Sequence, residues 1–109
     1  MNRSGSEKAF AAAKRVIPGG VNSTVRAFKA VGGTPVFVRE AQGAYLVDVD
    51  GNRYLDLTSA FGVAAVGHAN HAVANAVAEQ SARLIHGMGD VHPTEVRVRL
   101  LEALAALGN

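Results

Sequence analysis

The chain has 109 residues, 11 Lys plus Arg against 9 Asp plus Glu, and a formal net charge of +2. The basic residues are scattered rather than gathered on one face, which argues against a nucleic-acid binder, and a hydrophobic fraction of 49% excludes a disordered chain. The absence of Cys excludes a disulfide scaffold and a thiolate zinc site, no apolar run reaches the roughly 18 residues of a membrane span, and the charged start MNRSGSEKAF is not a secretory signal.

A cytoplasmic protein with no membrane partner is therefore expected. A chain of this size buries about 60–70% of its unfolded surface. Aromatic residues are only 6%, and Trp is absent. The core expected from this composition is thin for a self-sufficient enzyme.

The first element is a helix. Phe10, Ala13, Lys14 and Ile17 fall at i, i+3, i+4 and i+7. Ser4 or Ser6 is the expected cap, and Glu7 suits the positive end of the helix. Pro18-Gly19-Gly20 should end it, because Pro cannot continue the ladder and Gly accepts positive φ. Val21 to Pro35 has no sustained period and reads as an extended loop that packs on something.

From Val36 the period becomes two. Val36-Phe37-Val38, Ala44 to Val49 and Arg53 to Leu57 read as strands. Asp50-Gly51 is a hairpin signal that calls for positive φ at both residues. A three-stranded antiparallel meander over 36–57 follows. Thr58 to Gly67 is small and apolar; it reads as a loop or a buried strand, and periodicity does not decide. A helix follows, with Val73, Ala76, Val77, Gln80 and Leu84 on one face. His86 to Asp90 connects it to a last helix that starts near Pro93, with Pro in its first turn. Val96, Leu100, Leu101, Leu104 and Leu107 form its stripe, and Gly108 ends it.

Few residues suggest chemistry by spacing alone. His68 and His71 are an i, i+3 pair, but no carboxylate lies near them in sequence and no third ligand is evident, so no metal site is expected. Gly19-Gly20 and Gly32-Gly33 lack the phosphate-loop spacings and read as turns. Arg26, beside the hydroxyls of Ser23 and Thr24, suits bidentate recognition of a carboxylate or phosphate; it also suits a plain surface position. Phe61 is an aromatic among small residues, either a core plug or the wall of a pocket.

Several stretches together resemble one family. KRVIPGGVNSTVRAFKAVGGTPVFV, GAYLVDVDGNRYLDL and the Gly67-His68 step resemble the N-terminal portion of class III (fold type I) pyridoxal-phosphate aminotransferases. The PGGVNS and VRAF runs are most similar to the glutamate-1-semialdehyde 2,1-aminomutase branch. Thr24 stands where that branch has Pro, and Phe61 where it has Trp. The connector His86 to Glu95 resembles general class III transaminases instead.

The resemblance implies an α+β fold, the N-terminal segment of a fold type I transferase built as helix, loop, meander and two helices. Its parts are a helix over 1–17, a substrate-side loop over 18–35, the meander over 36–57, and the start of a large domain over 58–109. It implies pyridoxal 5'-phosphate as cofactor, not covalently bound by this segment. The family's Schiff-base lysine is expected beyond Asn109, so no catalytic residue is assigned here. It places Ser23 and Arg26 near a substrate carboxylate and Phe61 against both substrate and cofactor ring. The implied reaction converts glutamate-1-semialdehyde to 5-aminolevulinate in a homodimer. An ω-amino acid or acetylornithine-type transaminase is the alternative. A non-catalytic interaction module, suggested by the thin core and the last helix's stripe, is the reading from another class.

Overall fold

The computed structural model describes residues 1–23, 28 and 31–108. The chain forms two units, residues 1–70 and 71–109. In the first, helix α1 (Ser4–Val16) runs into a 3-10 turn, Pro18–Gly20. Strands β1 (Val38–Gln42), β2 (Tyr45–Asp48) and β3 (Arg53–Leu55) follow, then a short turn, Ser59–Gly62. The second unit holds α2 (His71–Arg83) and α3 (Glu95–Leu107).

The expected meander is present. β1, β2 and β3 pair antiparallel in sequence order. β1 begins two residues later than the alternation suggests, and its register shifts between Val38 and Glu40. Phe37 still joins the sheet through its carbonyl, which accepts from the Val49 amide at 2.8 Å. Tyr45 faces Leu55 and Val47 faces Arg53 across β2 and β3. The Arg53 guanidinium lies 3.6 Å from the Tyr45 ring centroid, a diagonal cation–π contact.

The β2–β3 turn differs in detail from the expectation. Gly51 has φ 83, but Asp50 is not in the left-handed region. Asp48 NH bonds Asn52 O, and Gly51 NH bonds Asp48 O, leaving three residues in the loop. Such loops carry positive φ at their last residue only. Asp50 is thereby freed for another task. Its carboxylate accepts from the amides of Gly5 at 2.6 Å and Ser6 at 2.8 Å. The cap of α1 thus comes from the sheet, not from Ser4 or Ser6; Arg3 holds the cap position, and no side-chain cap bond is made there. An anion at a helix N-terminus satisfies otherwise unbonded amides and meets the positive dipole end.

The largest fully buried side chains of this unit are polar. No large apolar side chain is buried among the described residues, whereas Ser6 and Asp48 are each 1% exposed. Asp48 accepts from the amides of Asp50 and Asn52, the Asn52 side chain and the Tyr54 hydroxyl. Burial pushes the Asp48 carboxyl upward, but the bonds from Asn52 and Tyr54 outweigh it and hold it below the usual range.

In the second unit the sequence stripes are real but uncovered. Val73, Ala76, Val77, Gln80 and Leu84 line one open groove of about 500 Å³ together with Ile85. Along α3, Leu100, Leu101 and Leu104 remain more than half exposed. Pro93 lies outside α3, because Thr94 is the cap residue and the helix starts at Glu95. Among the described residues no helix is long and apolar enough to cross a membrane.

Candidate functional site

The segment after β3 carries a run of left-handed backbone. It is a loop built of turns, not a buried strand. Ser59, Ala60, Phe61 and Gly62 have φ of 48, 49, 57 and 94, four left-handed residues in a row. For a residue with a Cβ that conformation costs about 1–2 kcal/mol. It persists only where the surroundings impose it.

The surroundings here are Asp56 and His68. Asp56 Oδ1 accepts from the Thr58 amide at 2.9 Å, the Thr58 hydroxyl at 2.8 Å and the Ser59 amide at 3.0 Å. Asp56 Oδ2 meets His68 Nε2 at 2.7 Å. An ionised carboxylate only accepts, so the proton of that bond sits on Nε2. The two side chains are largely buried, at 7% exposure for Asp56 and 20% for His68. The bond from His68, followed by those from Thr58 and Ser59, holds the Asp56 carboxyl down at about 2.

His68 is itself fixed. Its amide donates to Gly43 O at 2.8 Å, and its carbonyl accepts from the Gly43 amide at 2.9 Å. Gly67 makes this approach possible. It has φ 88, and a Cβ there would lie 3.3 Å from Gly43 Cα. The Ala64 amide returns to Ser59 O at 2.9 Å and closes the loop on itself. Beneath lies a cavity of about 120 Å³ lined by Gly43, Asp56, Ser59, Ala64, Gly67 and His68, among others.

Phe61 projects from this turn with 90% of its surface exposed. It is therefore not a core plug of the chain as described. Ser23, half-buried, belongs to the stretch after the Pro18–Gly20 turn. Arg26 lies outside the described residues. Spacing alone does not pair Asp56 with His68, because the two lie 12 residues apart. The signal that could have found them is the last Asp of the meander followed by the Gly-His step. His68 Nε2 is committed to Asp56, and among the described residues no group of three or more His, Cys, Asp or Glu could hold a metal ion.

Comparison with known proteins gives these features a family. The sequence model of aminotransferase class-III matches residues 28–108. A transaminase solved with PLP bound is 34% identical, with a TM-score of 0.80, over 97% of this chain and 24% of its own. An omega-transaminase from Sphaerobacter thermophilus is 32% identical, with a TM-score of 0.78, over 94% of this chain and 22% of its own. A glutamate-1-semialdehyde-aminomutase from Pseudomonas aeruginosa PAO1, in complex with PMP, is 34% identical, with a TM-score of 0.59, over 72% of this chain and 17% of its own. The chain spans about a quarter or less of the length of each of these structures. With the meander, the loop after it and the helices beyond all inside the matched region, the chain belongs to the class III aminotransferases.

Proposed function

We propose that this chain supplies the N-terminal, substrate-facing portion of a pyridoxal-phosphate enzyme, and that the enzyme is a glutamate-1-semialdehyde aminomutase forming 5-aminolevulinate. Family membership supports the cofactor, as does PLP or PMP in two of the related structures. The observation that carries the finer reading is the run from Pro18 to Phe28, PGGVNSTVRAF, which resembles the aminomutase branch.

The residues present fit such a cofactor. Phe61 is an exposed aromatic on a turn whose backbone is tied down, suited to stand against a flat ring. Arg26 would pair with the substrate carboxylate, since its guanidinium is a permanent cation with a planar fork. Ser23 would add a hydroxyl donor. When bound, the cofactor supplies an electron sink for the carbon that bears the amine. The chain's own residues bind the acid group, orient the substrate and exclude water from one side of the ring. The lysine that links the cofactor is assigned elsewhere in the intact enzyme; Lys14 here lies 4.7 Å from the Phe10 ring centroid, on α1. The loop over 18–35 is read as the substrate side, residues 58–109 as the start of the large domain, and the intact enzyme as a homodimer.

An ω-transaminase is the second reading. It is favoured by the connector from His86 to Glu95 and by two transaminase structures that cover more than nine-tenths of this chain. The discriminating assay uses the enzyme that carries this sequence. An aminomutase forms 5-aminolevulinate from glutamate-1-semialdehyde with no keto acid added, whereas a transaminase turns over only when an acceptor is supplied. Within either reading, Arg26→Ala should raise KM for a carboxylate substrate while the cofactor spectrum is unchanged. A lost charge-assisted hydrogen bond costs about 1.5–3 kcal/mol, roughly ten- to a hundredfold. Equal KM for the two forms would show that the carboxylate is held elsewhere.

A further inference from the structure

We infer that Asp56 and His68 are positioning residues: together they clamp residues 58–62 into the left-handed turn that presents Phe61, so that the wall of the pocket is built before any ligand arrives. The value of that wall rests on the proposed role of Phe61; the clamp does not.

The geometry assigns each group a part. A left-handed conformation at Ser59, Ala60 and Phe61 is not selected by those residue types, since only Gly visits that region freely. Something outside the turn must hold it. Asp56 Oδ1 holds the entry through three bonds, two of them to consecutive amides, Thr58 and Ser59. Asp56 Oδ2 holds the exit through His68. His68 is locked in turn to Gly43 at the end of β1 by paired backbone bonds. Asp56 is itself aligned on the sheet, its amide donating to Ala44 O at 2.9 Å. One carboxylate thus ties both ends of the loop to the meander. With either side chain removed, the Ser59–Phe61 backbone should relax toward ordinary right-handed or extended φ, and Phe61 should lose its fixed direction.

The test reads the backbone, with no cofactor present. In His68→Ala and Asp56→Ala, the Cα and Cβ shifts of Ser59, Ala60 and Phe61 should move away from left-handed values. Exchange of the Ala64 amide, which bonds Ser59 O, should accelerate about tenfold or more. Shifts across Tyr45–Asp48 report whether the sheet survives. His68→Gln keeps an N–H where Nε2 stands and should restore the wild-type turn. The clamp is overturned if His68→Ala leaves residues 59–64 unchanged. It is also overturned if His68→Gln behaves like His68→Ala, whether or not the sheet persists, because the hydrogen bond would then not be what holds the turn. A failure of the pocket reading looks different: the clamp variants behave as described, yet Phe61→Ala in the intact enzyme leaves both cofactor affinity and KM unchanged.

Discussion

Helices α1 and α3 each have 13 residues and an acidic side chain in the first turn, Glu7 and Glu95 respectively. They are held in different ways. The N-terminus of α1 is bound by Asp50, a carboxylate about 45 residues away. Beyond its other end the chain folds back, and Gly20 sits so close to the Phe10 ring and the Lys14 stem that a Cβ there would clash with both. The N-terminus of α3 has a cap residue, Thr94, in extended backbone, but its hydroxyl makes no cap bond. Its residues are mostly Leu, Ala, Arg and Glu, all good helix formers. So α1 is a helix fixed by tertiary polar contacts. α3 rests on propensity and on whatever comes to cover its leucines, since isolated helices of this length are marginal in water.

The largest expected effect follows from that uncovered stripe. Leu100 and Leu104 are 58% and 54% exposed. An apolar stripe of this kind drives association in a soluble chain. The isolated chain should self-associate in sedimentation at high concentration. Leu100→Asp with Leu104→Asp should suppress this strongly, because burying each Leu is worth about 1.5–3 kcal/mol and two amount to roughly a hundredfold or more. A monomeric profile for the unaltered chain, with a cooperative melt, would break the contrast: α3 would then need no cover.

The same contrast shows what a sequence can reveal. The stripe of α3, the groove of α2 and the meander are periodic, and periodicity follows directly from backbone geometry. The role of Asp50 is not periodic. As the first half of Asp-Gly it reads as a turn residue, and its bonds to α1 depend on a contact that only the folded chain creates. Asp56 and His68 are hidden for the same reason. The left-handed turn is hidden more deeply, since Ser59, Ala60 and Phe61 do not advertise positive φ. Phe61 stands out only through resemblance to a family; the turn that exposes it is seen only in the folded chain.

Acid should attack the first unit through its bonded carboxylates. Asp56 is held at about 2, below an unperturbed Asp of about 3.9. Asp48 and Asp50 are lowered as well; for Asp50 burial pushes upward, but the Gly5 and Ser6 amides outweigh it. A carboxyl lowered on folding binds its proton first in the unfolded chain. For Asp56 the resulting stabilisation is complete above about pH 4 and is lost as the pH falls toward about 2. Amide shifts of Thr58 and Ser59, which bond Asp56, should move in that window, and those of Gly5 and Ser6 should follow the protonation of Asp50 below the ordinary Asp range. Loss of α3 resonances before these would reverse the ranking of the two helices.

A smaller and more local effect is expected of Asp50→Ala. Without the carboxylate, the Gly5 and Ser6 amides return to water, and their exchange should quicken about tenfold. The β2–β3 pairing should persist, because Gly51 and Asp48 form the turn. Asp50→Asn is the sharper variant. It retains one acceptor but loses the charge, so it should recover part of the protection, and the recovered fraction measures hydrogen bonding apart from the dipole interaction.

The smallest effect is expected at Thr94. A Thr that caps a helix loses about 0.5–2 kcal/mol on replacement by Ala, because a first-turn amide loses its acceptor. Thr94 has cap geometry, with φ −115 and ψ 142, yet contributes no side-chain bond. Its methyl points toward Gly87, where a Cβ would lie 2.5 Å from Thr94 Cγ2. Thr94→Ala should therefore cost less than about 0.5 kcal/mol, the methyl contact alone. Thr94→Asp should gain, since an aspartate at that position can accept from the second or third amide and meets the positive helix end. Circular dichroism of the two variants against the parent decides it. If Thr94→Ala costs a full cap, the hydroxyl bonds in solution, and α3 is capped from within its own sequence as α1 is capped from the sheet.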